Sequence, residues 1–469
     1  MGKTLAEKVL SAKSGQDVHA GDIVIAKVDV AAFQDGTGPL GVRQLEKMHI
    51  TKVKAPKSII FIDHAAPSPR KELSNDHMLL RDFCRNTGAT LSEIGNGVIH
   101  QRLVESFAKP GDVVIGADSH SCTSGALGAF ATGMGSTDVA IGMAMGKTWF
   151  KVPETLRIEV SGKFQPGVYA KDLILYLIGM LGADGATYKA LEFGGETIAK
   201  MSMESRFVLS NMAVEAGAKT SLIASDKITK EYLKSQGRIK DWQTLFPDKD
   251  AKYERVIKID ANKIDPQVAF PHTVDNTKPI GKAKGIKVDQ VFIGTCTNGR
   301  IEDLKIAAKI FAGKKRAPQT RLIVCPASRD VYLDALKLGL LETFVRAGAI
   351  IMGPGCGPCV GVHEGILGDK EVCVSTANRN FKGRMGNPEG FVYLASPAVA
   401  AYSAIKGEIS DPREIVKEGR RRQEPRQRGR GAQFLNRSKN SGEIGKGRRG
   451  RDGKKGKIGQ SKTEKGRKK

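Results

Sequence analysis

No stretch of this chain is apolar enough for long enough to cross a bilayer. The longest dense apolar run, Leu173 to Leu181, falls well short of the roughly 20 residues a spanning helix needs. The start, Met-Gly-Lys-Thr-Leu-Ala-Glu-Lys, lacks both the apolar core of a secretory leader and the arginine-rich character of a transit peptide. Cysteine is scarce, with 7 in 469 residues, and the evenly spaced set of a secreted disulfide framework is absent. These absences argue against embedded and exported classes. They set the expectation of a soluble protein with no membrane contact, in the reducing cytoplasm. Aromatics are missing where a nucleic-acid arm would want them: residues 417–469 hold one, Phe434.

Charge is plentiful but uneven. Of the net +25, residues 417–469 supply +16, from 21 of the 75 Lys+Arg and 5 of the 50 Asp+Glu. The remainder is only moderately basic, as a site for polyanionic acids would allow. The Gly-, Lys- and Arg-rich tail cannot bury enough apolar surface to offset its chain entropy, so it is expected to be disordered. A cationic arm could meet nucleic acid. Without interleaved aromatics for bases to stack on, a solvated extension is the preferred reading.

The body reads as α/β, large enough for two or three domains. Thr4 to Ala12 has the pattern of a short amphipathic helix, Ile23 to Val30 that of a strand, and Gln34 to Gly38 that of a polar turn. Ser58–Ile62 is a buried-type strand ending at Asp63-His64, and Val113–Ala117 another ending at Asp118-Ser119-His120; Leu79 to Asn86 reads as helix. Apolar strands that end in polar residues and alternate with helices indicate parallel sheets with a site at the strand C-termini. The texture divides the chain into an α/β domain at 1–152, a second at 153–264, a linker at 265–285 with three prolines, and a third domain at 286–416, before the tail at 417–469.

Two groups of residues carry chemistry. Cys296, in Gly-Thr-Cys-Thr-Asn-Gly-Arg, joins Cys356 and Cys359, in Gly-Pro-Gly-Cys-Gly-Pro-Cys-Val-Gly. Alone, the Cys-x-x-Cys could be a redox dithiol or half a zinc site with His363 as the near candidate. Three thiolates on small-residue loops suit an iron–sulfur cluster with one iron left unligated by protein, able to act as a Lewis acid on substrate oxygen. Cys84, Cys122, Cys325 and Cys373 are expected to be packing thiols. In the second group, Asp63-His64, His100 and Asp118-Ser119-His120 pair carboxylates with imidazoles, an arrangement that donates protons to a departing hydroxyl. Arg379 and Arg384, five apart in Asn-Arg-Asn-Phe-Lys-Gly-Arg, suit a dicarboxylic acid, since guanidinium forks bind carboxylates bidentately. Asn211 and Glu215, at i and i+4, share a helical face.

With these motifs, from Gln34-Asp35-Gly36-Thr37 through Ser210-Asn211-Met212-Ala213-Val214-Glu215 to the cysteine loops, the chain resembles the aconitase superfamily up to about Val416. The resemblance is greatest to the large subunits of its two-subunit branch, the isopropylmalate dehydratases and homoaconitases. It implies a three-domain α/β core of mostly parallel sheets flanked by helices. It implies one [4Fe–4S] cluster on Cys296, Cys356 and Cys359. It makes Asp63, His64, His100, Asp118, His120 and Glu215 catalytic, and it gives Gln34, Ser119, Asn211, Arg379 and Arg384 to the substrate. The activity implied is a hydro-lyase acting on a hydroxy di- or tricarboxylic acid. Isopropylmalate in leucine biosynthesis is the first choice, ahead of homoaconitate in lysine biosynthesis and 2,3-dimethylmalate. Some relatives instead bind RNA after losing the cluster. Aconitases carry a further swivelling C-terminal domain with a catalytic serine; here a small-subunit partner is expected to supply it, in a heterodimer or heterotetramer.

Overall fold

The computed structural model describes residues 2–415, so the expected disorder of 417–469 lies outside the described residues. Three sheets, each from a successive part of the chain, pack around shared apolar cores within one compact unit. The first is wholly parallel, in the order Thr90–Ser92, Lys57–Phe61, Val30–Gln34, Val113–Gly116, Phe130–Gly133. Its inner strands are buried along their length, as expected for a parallel sheet covered on both faces. The second is also parallel, in the order Thr220–Ile223, Ala190–Gly194, Thr155–Ser161, Arg255–Asp260. The third has seven strands, five of them parallel, and Gln290–Gly294 is the middle one of those five, between Val372–Ser375 and Arg321–Cys325.

The helices follow from their ends. Leu5–Ser14 starts on a Thr4–Glu7 capping box and stops at Gly15, left-handed at φ 74°. Lys71–Thr87 is much longer than the stretch read as helix; its first turn has no side-chain cap to announce it.

Two stretches differ from expectation. The strand expected over Ile23 to Val30 is two strands in different sheets, broken at Val28-Asp29: Val30–Gln34 enters the first sheet, while Ile23–Lys27 pairs antiparallel with Lys147–Lys151 as a separate ribbon. Asp29 makes the break, its carboxylate accepting from the Val113 amide. The stretch 265–285, read as a linker, carries Gln267–Ala269 and Thr277–Pro279, which pair antiparallel and extend the third sheet beside Phe391–Ala395. Strands of three residues are too short to show a period, and the outermost tolerates Pro279 because one side of an edge strand needs no amide donor. No helix among the described residues is long and apolar enough to cross a membrane.

Candidate active site

Both site groups lie where parallel strands end. The first sheet delivers Gln34 at the end of one strand and Asp63-His64 and Asp118-Ser119-His120 just beyond its two neighbours. The third delivers Cys296 beyond Gln290–Gly294, and Asn378-Arg379 beyond Val372–Ser375. The amide of Cys356 donates to the carbonyl of Asp63 (2.9 Å), joining the cysteine loop to the Asp63-His64 turn.

Asp118 organises the imidazoles. Its Oδ1 lies 2.8 Å from His100 Nε2 and accepts from the His120 amide (2.9 Å); its Oδ2 lies 3.6 Å from His64 Nε2. His64 Nδ1 in turn lies 3.0 Å from Asp63 Oδ1, and Asp63 Oδ2 accepts from the Ile99 amide. His120 Nε2 reaches Glu215 Oε1 (2.8 Å), and Glu215 takes both contacts of Arg379 Nε (2.8 and 3.0 Å). A single network thus spans Asp63, His64, His100, Asp118, His120, Glu215 and Arg379.

The environments separate the imidazoles. Burial opposes charge on His64, but Asp63 and Asp118 together outweigh it and lift the group well above the ordinary histidine range. For His100, burial prevails over the single carboxylate of Asp118 and lowers it. Asp118, half-buried, is held well below the usual carboxylate range by His100, His120 and His64, against the desolvation that would raise it. Glu215 is lowered against its own burial by His120 and Arg379. Titratable neighbours pushed in opposite directions divide acid from neutral partner. The charged form is thus favoured for His64 and the neutral form for His100, whose buried Nδ1 has no hydrogen-bond partner among the described residues.

Cys296, Cys356 and Cys359 are buried and free of disulfides. Donors aim at their sulfurs: Asn211 Nδ2 (3.3 Å) and Asn378 Nδ2 (3.6 Å) at Cys296, and Arg384 Nη2 (3.5 Å) at Cys359. The Cys356 thiol hydrogen-bonds Cys359 and, with Arg384, holds it well below the usual thiol range; Cys356 is raised correspondingly. Arg384 Nε is buried without a partner among the described residues. Gly361 closes the loop at φ 70°, where a Cβ would stand 2.1 Å from the Gly386 amide, so only glycine permits this approach. His363 turns Nε2 to the His64 carbonyl at 2.9 Å instead of joining the thiols. Thiols gathered with N–H donors and no further Cys or His directed at them fit an iron–sulfur cluster better than zinc.

Asn211, expected on the substrate, stands with Cys296 and Asn378. Gln34, Asp118 and Ser119 line a cleft of about 750 Å³.

Three residues were not singled out from the sequence. Asp35 accepts from the amides of Asp63, His64 and Ala65 (3.3, 2.8 and 2.9 Å) and faces His77 Nε2 at 3.0 Å, which fixes the Asp63-His64 turn. Burial alone would raise Asp35, yet His77, His64 and these amides bring it down to about 2. The third, Lys171, is fully buried. Its Nζ donates to the carbonyls of Thr376 (3.0 Å) and Ala377 (2.6 Å), just before Asn378-Arg379. Burial pulls its amine down to about 7. Asp35 stands inside a quoted motif, but a lysine on an apolar helix gave no signal.

The family described as "Aconitase family (aconitate hydratase)" matches residues 7–407. The chain is 64% identical over 418 residues to the "3-isopropylmalate dehydratase large subunit" of Elusimicrobium minutum, covering 89% of this chain and 100% of that protein. It is 56% identical to "3-isopropylmalate dehydratase large subunit 1" of Thermotoga maritima, with the same coverage. It is 55% identical to "3-isopropylmalate dehydratase large subunit 2" of Archaeoglobus fulgidus, again over 89% of this chain and 100% of the relative. A solved structure, aconitase X of Thermococcus kodakaraensis in its holo-form, overlaps with a TM-score of 0.48 at 15% identity, covering 81% of this chain and 94% of that one.

Proposed function

The chain belongs to the aconitase family, and from that premise we propose that it is the large subunit of a 3-isopropylmalate dehydratase. It would interconvert 2- and 3-isopropylmalate by loss and return of water in leucine biosynthesis. Full-length relatives named for that enzyme support this. The observation that carries it is the junction of three buried thiols with the Asp63–His64–Asp118 network through the Cys356 amide.

In this reading Cys296, Cys356 and Cys359 would hold a [4Fe–4S] cluster, which supplies, when bound, a Lewis-acidic iron with an open position. The chain's own residues do the rest. His64, kept protonated by two carboxylates, gives its proton to the departing hydroxyl. Asp118 holds that imidazole and that of His100, and through His120 passes the orientation on to Glu215. Glu215 anchors Arg379 by Nε alone; its Nη groups make no hydrogen bond among the described residues, which leaves the fork open to a substrate carboxylate. Arg384 serves the cysteine side, and Gln34 and Ser119 meet substrate at the cleft. A small subunit, as the relatives' designation implies, contributes the base for the carbon-bound proton and closes the cleft against water. The seven free cysteines support a cytoplasmic setting.

The test is turnover by anaerobically purified chain reconstituted with the small subunit, offered isopropylmalate, homocitrate and 2,3-dimethylmalate. Isopropylmalate should be preferred by kcat/KM. Preference for either of the others, or no turnover of any, would overturn the assignment.

A further inference from the structure

The ribbon of Ile23–Lys27 and Lys147–Lys151 is built unlike the rest of the molecule. On both strands exposed and buried residues alternate, and the pairing sets Ile23 opposite Lys151, Ile25 opposite Trp149 and Lys27 opposite Lys147. Directly paired residues project from one face, so these six side chains form a single outward surface. Ile25 and Trp149 lie at its centre, exposed at 60% and 55%, with Ile23, exposed at 73%, beside them at one end. Three large apolar side chains adjoining on one small face are not the scattered exposure ordinary for a soluble surface. Lysines 27, 147 and 151 rim them.

The patch is continuous with the active site. Trp149 also lines the 750 Å³ cleft that Gln34, Asp118 and Ser119 line. Tyr188 stands in the same cleft with the ammonium groups of Lys151 and Lys219 6.0 and 5.6 Å from its ring centroid. A body seated on the ribbon therefore overhangs the substrate opening. An apolar centre with an aromatic anchor inside a charged rim is the anatomy of an interface hot spot, and a lysine rim selects a carboxylate-rimmed partner.

We propose that the ribbon face of Ile23, Ile25 and Trp149 is the docking surface for the small subunit, which presents to it an apolar pocket rimmed by Asp and Glu. This rests on the two-subunit reading above and adds where the partner sits: against the first sheet's edge of the cleft, with its active-site groups reaching Ser119 and Asp118 past Trp149.

The experiment measures association of the cluster-loaded chain with the small subunit encoded by the same genome, by calorimetry and gel filtration. The Ile25→Glu/Trp149→Ala variant should bind at least about 30-fold more weakly, the scale of losing one hot spot, with its circular dichroism and cluster absorbance unchanged. Lys147→Glu/Lys151→Glu, which leaves the apolar centre intact, should slow association about tenfold at low salt and less at high salt. Leu336→Glu, an exposed residue of the helix Arg329–Lys337, should bind as wild type does. Binding of Ile25→Glu/Trp149→Ala within threefold of wild type would overturn this docking surface and leave the two-subunit reading intact. Failure of wild type to bind any small subunit would overturn both. Self-association of the free chain that the same variant abolishes would give the surface to a second copy instead.

Discussion

Replacing Asp118 by Asn removes one negative charge from the centre of the site while keeping its shape. Asn caps a helix start as well as Asp does, so the turn begun by the Asp118 contact to the His120 amide should persist. What is lost is the anion facing three imidazoles, at 2.8 Å for His100, 3.3 Å for His120 and 3.6 Å for His64. At an effective dielectric of about 20, opposite charges 3.6 Å apart attract by roughly 4–5 kcal/mol. If His64 draws a third of that, its pKa falls by about one unit, with Asp63 still in place at 3.0 Å. The proton donor then empties at lower pH. The basic limb of kcat/KM should move down by about one pH unit, and the rate measured on the alkaline side of that limb should fall by about tenfold, the share of protonated donor that such a move removes. The assay is a pH–rate profile on reconstituted enzyme, with cluster absorbance as the control. A basic limb that stays in place would refute the assignment of His64 as the acid held by Asp118. So would a rate within threefold of wild type.

Arg379→Lys keeps the charge but loses the fork; kcat/KM should drop by roughly 10² or more with visible absorbance intact, and normal kinetics would place Arg379 outside the site. Lys171→Met removes both contacts that hold the Asn378-Arg379 turn, so turnover should fall about 10–100-fold, as for supporting residues behind a ligand set. The same variant has a signature in stability. Because burial lowers Lys171 to about 7, the unfolded chain keeps its proton longer, and the wild-type chain should gain stability on the variant as pH rises from about 7 to 9; chemical unfolding of apoprotein at both pH values measures it. His64 carries the opposite sign: its folded pKa is raised, so its stabilisation is complete below about 6.5 and is lost as pH rises through the folded value. Unfolding wild type against His64→Gln at pH 6 and 9 should show a larger gap at pH 6. A chain ending at Val416 should reconstitute as well as the full one, since relatives lacking the extra length are matched end to end.

The parts of the site built from local runs were legible in the sequence. Ser58–Ile62 and Val113–Ala117 announce buried parallel strands, and their ends carry Asp63-His64 and Asp118-Ser119-His120 in plain view. The structure brings these to one network with His100, because neighbouring parallel strands put their C-termini together. Partnerships that cross the chain left no local trace. Glu215 with Arg379, Asn211 with Cys296, and Lys171 with the Thr376 and Ala377 carbonyls are each set by how the second and third sheets meet. Asp35 was hidden for another reason: its work is on backbone amides, which any sequence could supply. The stretch 265–285 misled because strands of three residues carry no period, yet Asn380 rests on the Ala269 and Phe270 carbonyls there and so depends on it.

In the proposed function the three buried thiols Cys296, Cys356 and Cys359 would hold a cluster with one open iron. Iron and acid-labile sulfide analysis of the anaerobically purified chain tests it most directly, beside Cys356→Ser prepared in the same way. About four irons and four sulfides per chain are expected, with one iron lost readily to oxygen and the visible absorbance lost in the variant. Stoichiometric, tightly held zinc with no iron in the wild-type chain would contradict it.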